Sequence, residues 1–301
     1  MRYAIDVAPL GDELADPLTI VRLARAAEAS GWHGLSIWDS TGVSMGTVAP
    51  DPFVALAAVA DATDRLQLIL SVVALPRRRP QLVAQATATL DRLSGGRVVL
   101  GVGGGGDPGD FEPFGEPWDR QERLALMDES LELVDRFLRG ERVDHEGAHF
   151  QMAGAAVGPR PVQQPRPPIW FGGMRPAALR RAARLDGWIA IAVTEDGSGI
   201  DLPAAAFGEL VERVRAERAT LGRADEPFEV AVFACSDAGP DGAELAAGYA
   251  EAGATWWLES LSGMRGSVDD LVARIEAGPP TAGRAGPVAP APRCASGELR
   301  R

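Results

Sequence analysis

The sequence predicts an α/β barrel of eight parallel strands, each followed by a helix, with a hairpin inserted between the fourth helix and the fifth strand. Three observations carry this. Short apolar runs alternate with longer stretches of helical period through most of the 301 residues, and that alternation implies a parallel sheet with right-handed crossovers. The run LQLILSVVAL at 66–75 is apolar on both faces, as a strand covered from both sides must be. Eight such units at this length fit a closed (β/α)8 TIM barrel better than an open sheet.

The elements follow in order. YAIDVA at 3–8 reads as the first strand, and Leu18, Val21, Leu23, Ala24 and Ala27 mark a helix face that stops near Gly31. The second strand is LSIW at 35–38, and the next helix opens at Asp51-Pro52, Asp being a good cap and Pro tolerated in the first turn. After the third strand, a helix over 80–92 ends at Ser94-Gly95-Gly96; the fourth strand is 97–102, followed by a glycine loop and a long helix over 119–138. Residues 139–168 break the rhythm: GERVDHEGAHFQM reads as a hairpin turning at Glu146-Gly147, and PRPVQQPRPP as a Pro-rich link. The alternation then resumes, with strands at 169–171, 187–193, 228–234 and 254–259, and helices at 175–184, 203–221, 241–251 and 267–277. The barrel domain is therefore 1–278 and the Pro/Ala/Gly-rich residues 279–301 a disordered tail, because that composition buries too little apolar surface to offset the entropy of ordering.

Composition excludes several chemistries. Thirty basic residues face 42 acidic ones, a net charge of −12, and all thirty are Arg; the chain has neither Lys nor Asn. Without Lys there is no Schiff base and no P-loop of the GxxxxGK[ST] type, and without Asn no N-glycosylation acceptor. The acidic balance argues against nucleic-acid binding. Cys235 and Cys294 lie far apart and form no recognisable framework, and with three His they supply no zinc cluster, so no metal is expected. The first apolar stretch is broken at Asp6, and no run reaches the roughly 18 apolar residues of a membrane span. A cytoplasmic protein without a membrane partner is expected.

In such a barrel, reacting groups come from the C-terminal ends of strands. His33 enters the second strand on the opposite rim, and His145 and His149 sit in the hairpin, so none is placed as a general base. The correct rim offers glycine: Gly103 to Gly106 after the fourth strand, and Gly172-Gly173-Met174-Arg175 after the fifth. Two glycines before a helix suit an anion on backbone amides, with Arg175 adding charge; on spacing alone a tight turn is an equal reading. Asp39 ends the second strand as a turn cap or a catalytic carboxylate. Arg77, Arg78 and Arg79 read as a solvated run, and Glu195 and Asp196 as solvated loop. Adjacent Trp256 and Trp257 must point to opposite sides of their strand, so one of them faces the interior.

The segments ARAAEASGWHGLSIWD (24–39), DPFVALAAVADATDRLQL (51–68), SVVALPRRRPQLVAQATATLDRLSGGRVVLGVG (71–103), PRPPIWFGGMRPAALRRAARLDGW (165–188) and GATWWLESL (253–261) together resemble the bacterial luciferase-like flavin oxidoreductases. The combination LDxLSGGRxxLGxG, which opens at Leu90, is the most specific of these signals. The resemblance implies a barrel holding reduced FMN, or the deazaflavin coenzyme F420, at its C-terminal mouth. It places the cofactor phosphate at Gly172-Gly173 beside Met174 and Arg175, and a non-proline cis peptide at Ser71-Val72 behind the ring. Asp39 comes near the ring's pyrimidine edge, and Gly103 and Gly104 beside the ring.

The activity it implies is a monooxygenase acting on a small organic substrate with O2 and reduced FMN, the latter supplied by a flavin reductase. The alternatives are F420-dependent hydride transfer and a flavin-binding barrel that has lost turnover; a homodimer is the implied assembly. The family's sugar-phosphate dehydrogenases carry His and Glu where this chain has Ser40 and Gly106, with Asp107 one residue on, so a His-assisted alcohol oxidation is not expected.

Overall fold

The computed structural model describes residues 1–191 and 201–281. Strands are numbered in chain order. The barrel runs β1 (Arg2–Val7), β2 (Gly34–Ile37), β3 (Gln67–Ala74), β4 (Val98–Gly103), β7 (Ile169–Gly172), β8 (Gly187–Ala190), β9 (Glu229–Ala234) and β10 (Trp256–Leu261), and β10 closes on β1. All of these neighbours pair in parallel. Outside the barrel, β5 (Val143–Glu146) and β6 (Gln151–Ala155) form the expected antiparallel hairpin.

The helices are α1 (Pro17–Ala29), α2 (Pro52–Ala62), α3 (Pro80–Leu93), α4 (Arg120–Leu138), α5 (Pro176–Ala182), α6 (Ala204–Thr220), α7 (Pro240–Glu251) and α8 (Val268–Glu276). Five of them begin on Pro, whose fixed φ suits a first helical position where no amide donor is needed. Asp16 and Asp51 cap α1 and α2 by accepting from backbone amides, and Ser267 and Asp270 form a reciprocal capping box on α8. Among the described residues no helix is long and apolar enough to cross a membrane.

The alternation of side chains along each strand divides the apolar residues into two cores. One fills the space between barrel and helices, with Leu23, Leu56, Phe137, Phe207 and Trp257 among its members. The other fills the barrel itself, with Ile69, Val99, Trp170, Ile189, Trp256 and Leu258. The adjacent tryptophans divide as the pleat requires: Trp256 faces inward and packs tilted against Trp170, whereas Trp257 faces the helices. Arg2 lies over the Trp256 ring and pairs with Glu229, on the rim where β1 and β9 start.

Some boundaries differ from expectation. The strand expected over 187–193 ends at Ala190, residues 192 and 193 lying outside the described residues, and β10 starts two residues late, at Trp256. The hairpin is fastened to α4 by one carboxylate: Glu129 accepts from His145 Nε2 at 2.9 Å and from the amides of His149 and Phe150. His33 belongs to the rim opposite the mouth, where its amide donates to the Tyr3 carbonyl. Cys235, next to the end of β9, is not a free cysteine. Residues 282–301 of the expected tail, with Cys294, lie outside the described residues, as do Glu195 and Asp196.

A fully buried carboxylate fastens the last strands to α8. Glu259 is 0% exposed and pairs with Arg265 at 2.6 Å and Arg274 at 3.2 Å; Ser236 and Trp257 also donate to it. Burial pushes this carboxyl up, but Arg274 and Arg265 outweigh it and hold the group below its ordinary range. Removing one partner of such a cluster strands the other charges in a dry environment. Glu259→Ala is therefore expected to lose about 3–5 kcal/mol of unfolding free energy in urea at neutral pH. A loss under about 1 kcal/mol would show that the two arginines are satisfied without it.

Candidate active site at the C-terminal mouth of the barrel

The first three strands meet below the mouth in a polar cluster. Inward positions alternate along β1, so Ala4 and Asp6 face the interior, and the parallel register sets Asp6 level with Ser36 on β2 and Ser260 on β10. Asp6 is 0% exposed. It accepts from Ser71 Oγ at 2.9 Å and from the Trp38 indole Nε1 at 2.7 Å, and Ser36 hydrogen-bonds Ser71. Burial pushes its carboxyl up to about 6, against the opposing hydrogen bonds of Ser36, Ser71 and Trp38.

Above this cluster β3 departs from regular pairing. Its register against β4 shifts between Leu70 and Val73, and the Ser71-Val72 peptide is cis. Val72 then fills a notch between two strands that carry no side chain there. A Cβ on Gly103 would lie 2.8 Å from Val72 Cγ2, and one on Gly172 2.8 Å from Val72 Cγ1. Glycine at both places is what lets Val72 sit where it does. Trp38, Val72 and Ile191 pack partly exposed on the inner core, with Phe233 against the Trp38 ring at 5.6 Å. The floor of the mouth is thus apolar apart from the edge of Ser71, which is 8% exposed.

Gly104 lies apart from this notch, turned toward Leu124 and Met127 of α4. Gly173 has φ +128, a conformation that favours glycine. Its amide donates to the Ile189 carbonyl at 3.2 Å, and its own carbonyl accepts from Trp188 Nε1. The amide of Gly173 is therefore engaged in the barrel rather than presented to an anion. Met174 packs partly buried on the outer core, and Arg175 is exposed as the cap residue of α5.

The arginine run is not solvated as expected. Asp39 has a side chain only 2% exposed, and both Arg77 (2.6 Å) and Arg78 (2.7 Å) pair with it. Arg78 also reaches Asp51, the cap of α2, and Asp39 accepts from the Ala74 amide at 3.1 Å. Asp39 thus clasps the end of β2 to the end of β3, and with every lone pair so engaged it is not placed as an acid–base group. Arg79 alone of the three is exposed.

The loops above are laced the same way. Asp110 accepts from the Thr41 amide and hydroxyl and from Ser40, while Asp107 accepts from Ser44 and the Gly109 amide. Asp107 and Ser40 therefore hold two loops together, and neither is free to replace the absent His and Glu.

A family model described as luciferase-like monooxygenase matches residues 4–284. The chain belongs to the luciferase-like monooxygenase family. An uncharacterized protein of Mycobacterium bovis is 32% identical over 249 residues, 77% of this chain and 82% of that protein, and one of Mycobacterium tuberculosis is equally similar.

Solved structures share the luciferase-like barrel. The coenzyme F420-dependent tetrahydromethanopterin reductase of Methanopyrus kandleri matches with TM-score 0.74 at 19% identity, covering 92% of this chain and 96% of that one. The monooxygenase RslO1 of Streptomyces bottropensis matches with TM-score 0.76 at 21%, covering 92% and 97%. An F420-dependent secondary alcohol dehydrogenase matches with TM-score 0.77 at 15%, covering 91% and 97%. At these identities the likeness shows the fold alone. The chain is thus a luciferase-like oxidoreductase-family barrel; of these three neighbours, two are named as F420-dependent and one as a monooxygenase.

Of the residues singled out in the sequence, the fold brings Ser71, Val72, Gly103 and Gly172 together, with Asp39 clasped beside them; Gly104, Met174 and Arg175 stand further out on the rim. Sequence reasoning missed Asp6. Its signal was an acidic residue at an inward position of a doubly covered strand, one residue from that strand's end.

The raised Asp6 carboxyl makes a testable contribution to stability. Its folded value, about 6, lies above its ordinary 3.8, so the folded chain holds the proton more tightly and stability falls as pH rises between those values. Asp6→Asn keeps an acceptor for Trp38 and a donor toward Ser71 without the charge. Urea unfolding should show the variant gaining on the wild type across that window by on the order of 2–3 kcal/mol. Parallel pH profiles for the two proteins would contradict this.

Proposed function

We propose that this luciferase-like barrel is a monooxygenase that holds reduced FMN in its mouth and acts with O2 on a small, apolar organic substrate. The observation that carries the reading is the notch at Val72. The mouth has no side chain on β4 or β7 at that level, and a Cβ there would collide with Val72, so the residues fit a flat ring lying against the barrel end. Bound reduced FMN would supply the electrons that activate O2, which suits a mouth where no free acid–base pair is found among the described residues.

The chain's own residues bind, orient and exclude water. Val72, Ile191, Trp38 and Phe233 make a dry floor. The phosphate belongs at the amides of Met174 and Arg175 with the exposed Arg175 guanidinium, because the Gly173 amide is engaged. FMN is favoured over F420 by the Asp39 clasp: Arg77 and Arg78, which would otherwise receive a longer acidic tail, are paired. Exposed Val43, Met45, Val48, Phe114 and Met264 on the loops after β2, β4 and β10 favour an apolar substrate.

Quenching of tryptophan fluorescence on titration with FMN, reduced FMN and F420 tests the assignment. Saturable FMN binding is expected, and tight binding of F420 alone would overturn it. A second test places the ring. Gly103→Ala pushes Val72 toward the mouth and should weaken FMN binding about tenfold, the cost of a modest overpacking. The additional change Val72→Ala should restore it. Unchanged FMN affinity in Gly103→Ala would move the ring away from Val72.

A further inference from the structure

The buried acid beneath the mouth has no part in the reading above, and its surroundings give it one. Asp6 and Ser36 are fully buried, whereas Ser71, bonded to both sides of this cluster, reaches the floor of the mouth. The two Asp6 oxygens have different partners: Oδ2 takes the Trp38 indole, and Oδ1 takes the Ser71 hydroxyl. Trp38 can only donate, so that contact survives in either protonation state and keeps the aromatic wall in place. A hydroxyl both donates and accepts, so the Oδ1 contact can reverse.

The interior facing Asp6 carries no other charge among the described residues. It is lined by Ala4 on β1, Ser36 and Trp38 from β2 and its end, Ile69 and Ser71 on β3, and Leu258 and Ser260 on β10. The acidic groups nearest in sequence on those elements are engaged elsewhere, Asp39 by Arg77 and Arg78, Glu259 by Arg265 and Arg274.

We propose that Asp6 is a positioning residue that sets the polarity of the Ser71 hydroxyl toward the mouth. Ionised, Asp6 holds the Ser71 proton and leaves an acceptor facing a bound molecule. Protonated from solvent, Asp6 donates to Ser71 Oγ, Ser36 donates to the same oxygen, and the Ser71 O–H, its proton retained, turns to an acceptor in the mouth. The ligand class favoured by the protonated state carries a carbonyl or ring nitrogen at the floor. This rests on the mouth being the ligand site, but the titration itself does not.

The first measurement therefore needs no ligand. Trp38 fluorescence, taken as wild type minus Trp38→Phe, should show an inflection near pH 6 that is lost in Asp6→Asn. Ser71→Ala should move it upward, because ionised Asp6 loses a donor. Absence of the inflection in the wild type, its persistence in Asp6→Asn, or an unmoved position in Ser71→Ala overturns the proposal. The second measurement uses riboflavin, which has ring carbonyls but no phosphate titrating in this range. Its affinity should be about fivefold higher on the acid side of the inflection, one neutral hydrogen bond's worth, and flat in both Asp6→Asn and Ser71→Ala. An equal pH dependence in Ser71→Ala overturns the role of the hydroxyl. Failure of riboflavin and FMN to bind at any pH counts against the flavin reading instead, and the ligand-free titration then decides on Asp6 by itself.

Discussion

A carboxyl group buried without a cation is tolerated only where hydrogen bonds replace its water, and at Asp6 those bonds come from three places along the first strands. Ser36 and Ser71 belong to β2 and β3, Trp38 to the turn beyond β2, and all converge on a residue of β1. β3 leaves its register beside this cluster, between Leu70 and Val73, and there Val72 enters the notch between Gly103 and Gly172. Below that level lies a packed interior of Trp170, Trp256 and aliphatic side chains.

The rim is stiffened by a repeated device. Asp39, Asp107 and Asp110 each bind groups from segments far away in the chain: the arginines after β3, the loop after β2, and that loop again. Carboxylates that look catalytic by position are in this way structural, and among the described residues the rim offers no free acid–base pair. Where a bound cofactor carries the difficult chemistry, a protein need supply only binding, orientation and a dry surface.

Much of the fold was legible because its signals are local. Doubly apolar runs, Asp-Pro helix starts and the glycine stop after α3 mark elements within a few residues, and the pleat forces Trp256 and Trp257 apart. The site was legible only in part. Ser71 and Val72 were carried by resemblance alone, whereas Gly103 and Gly172 stood out as glycines on the right rim without the sequence saying what would lie against them. Arg77 and Arg78 read as solvated because their partners, Asp39 and Asp51, are brought up by tertiary structure. Asp6 looked like an interruption in an apolar strand; its role depends on Ser36, Trp38 and Ser71 arriving from two further elements.

The most direct test is a crystal structure of the chain soaked with FMN. The isoalloxazine ring is expected in the mouth against Val72, between Gly103 and Gly172, with its phosphate at Met174 and Arg175. A ring bound elsewhere on the barrel, or a mouth that stays empty while FMN saturates the protein in solution, would contradict the assignment.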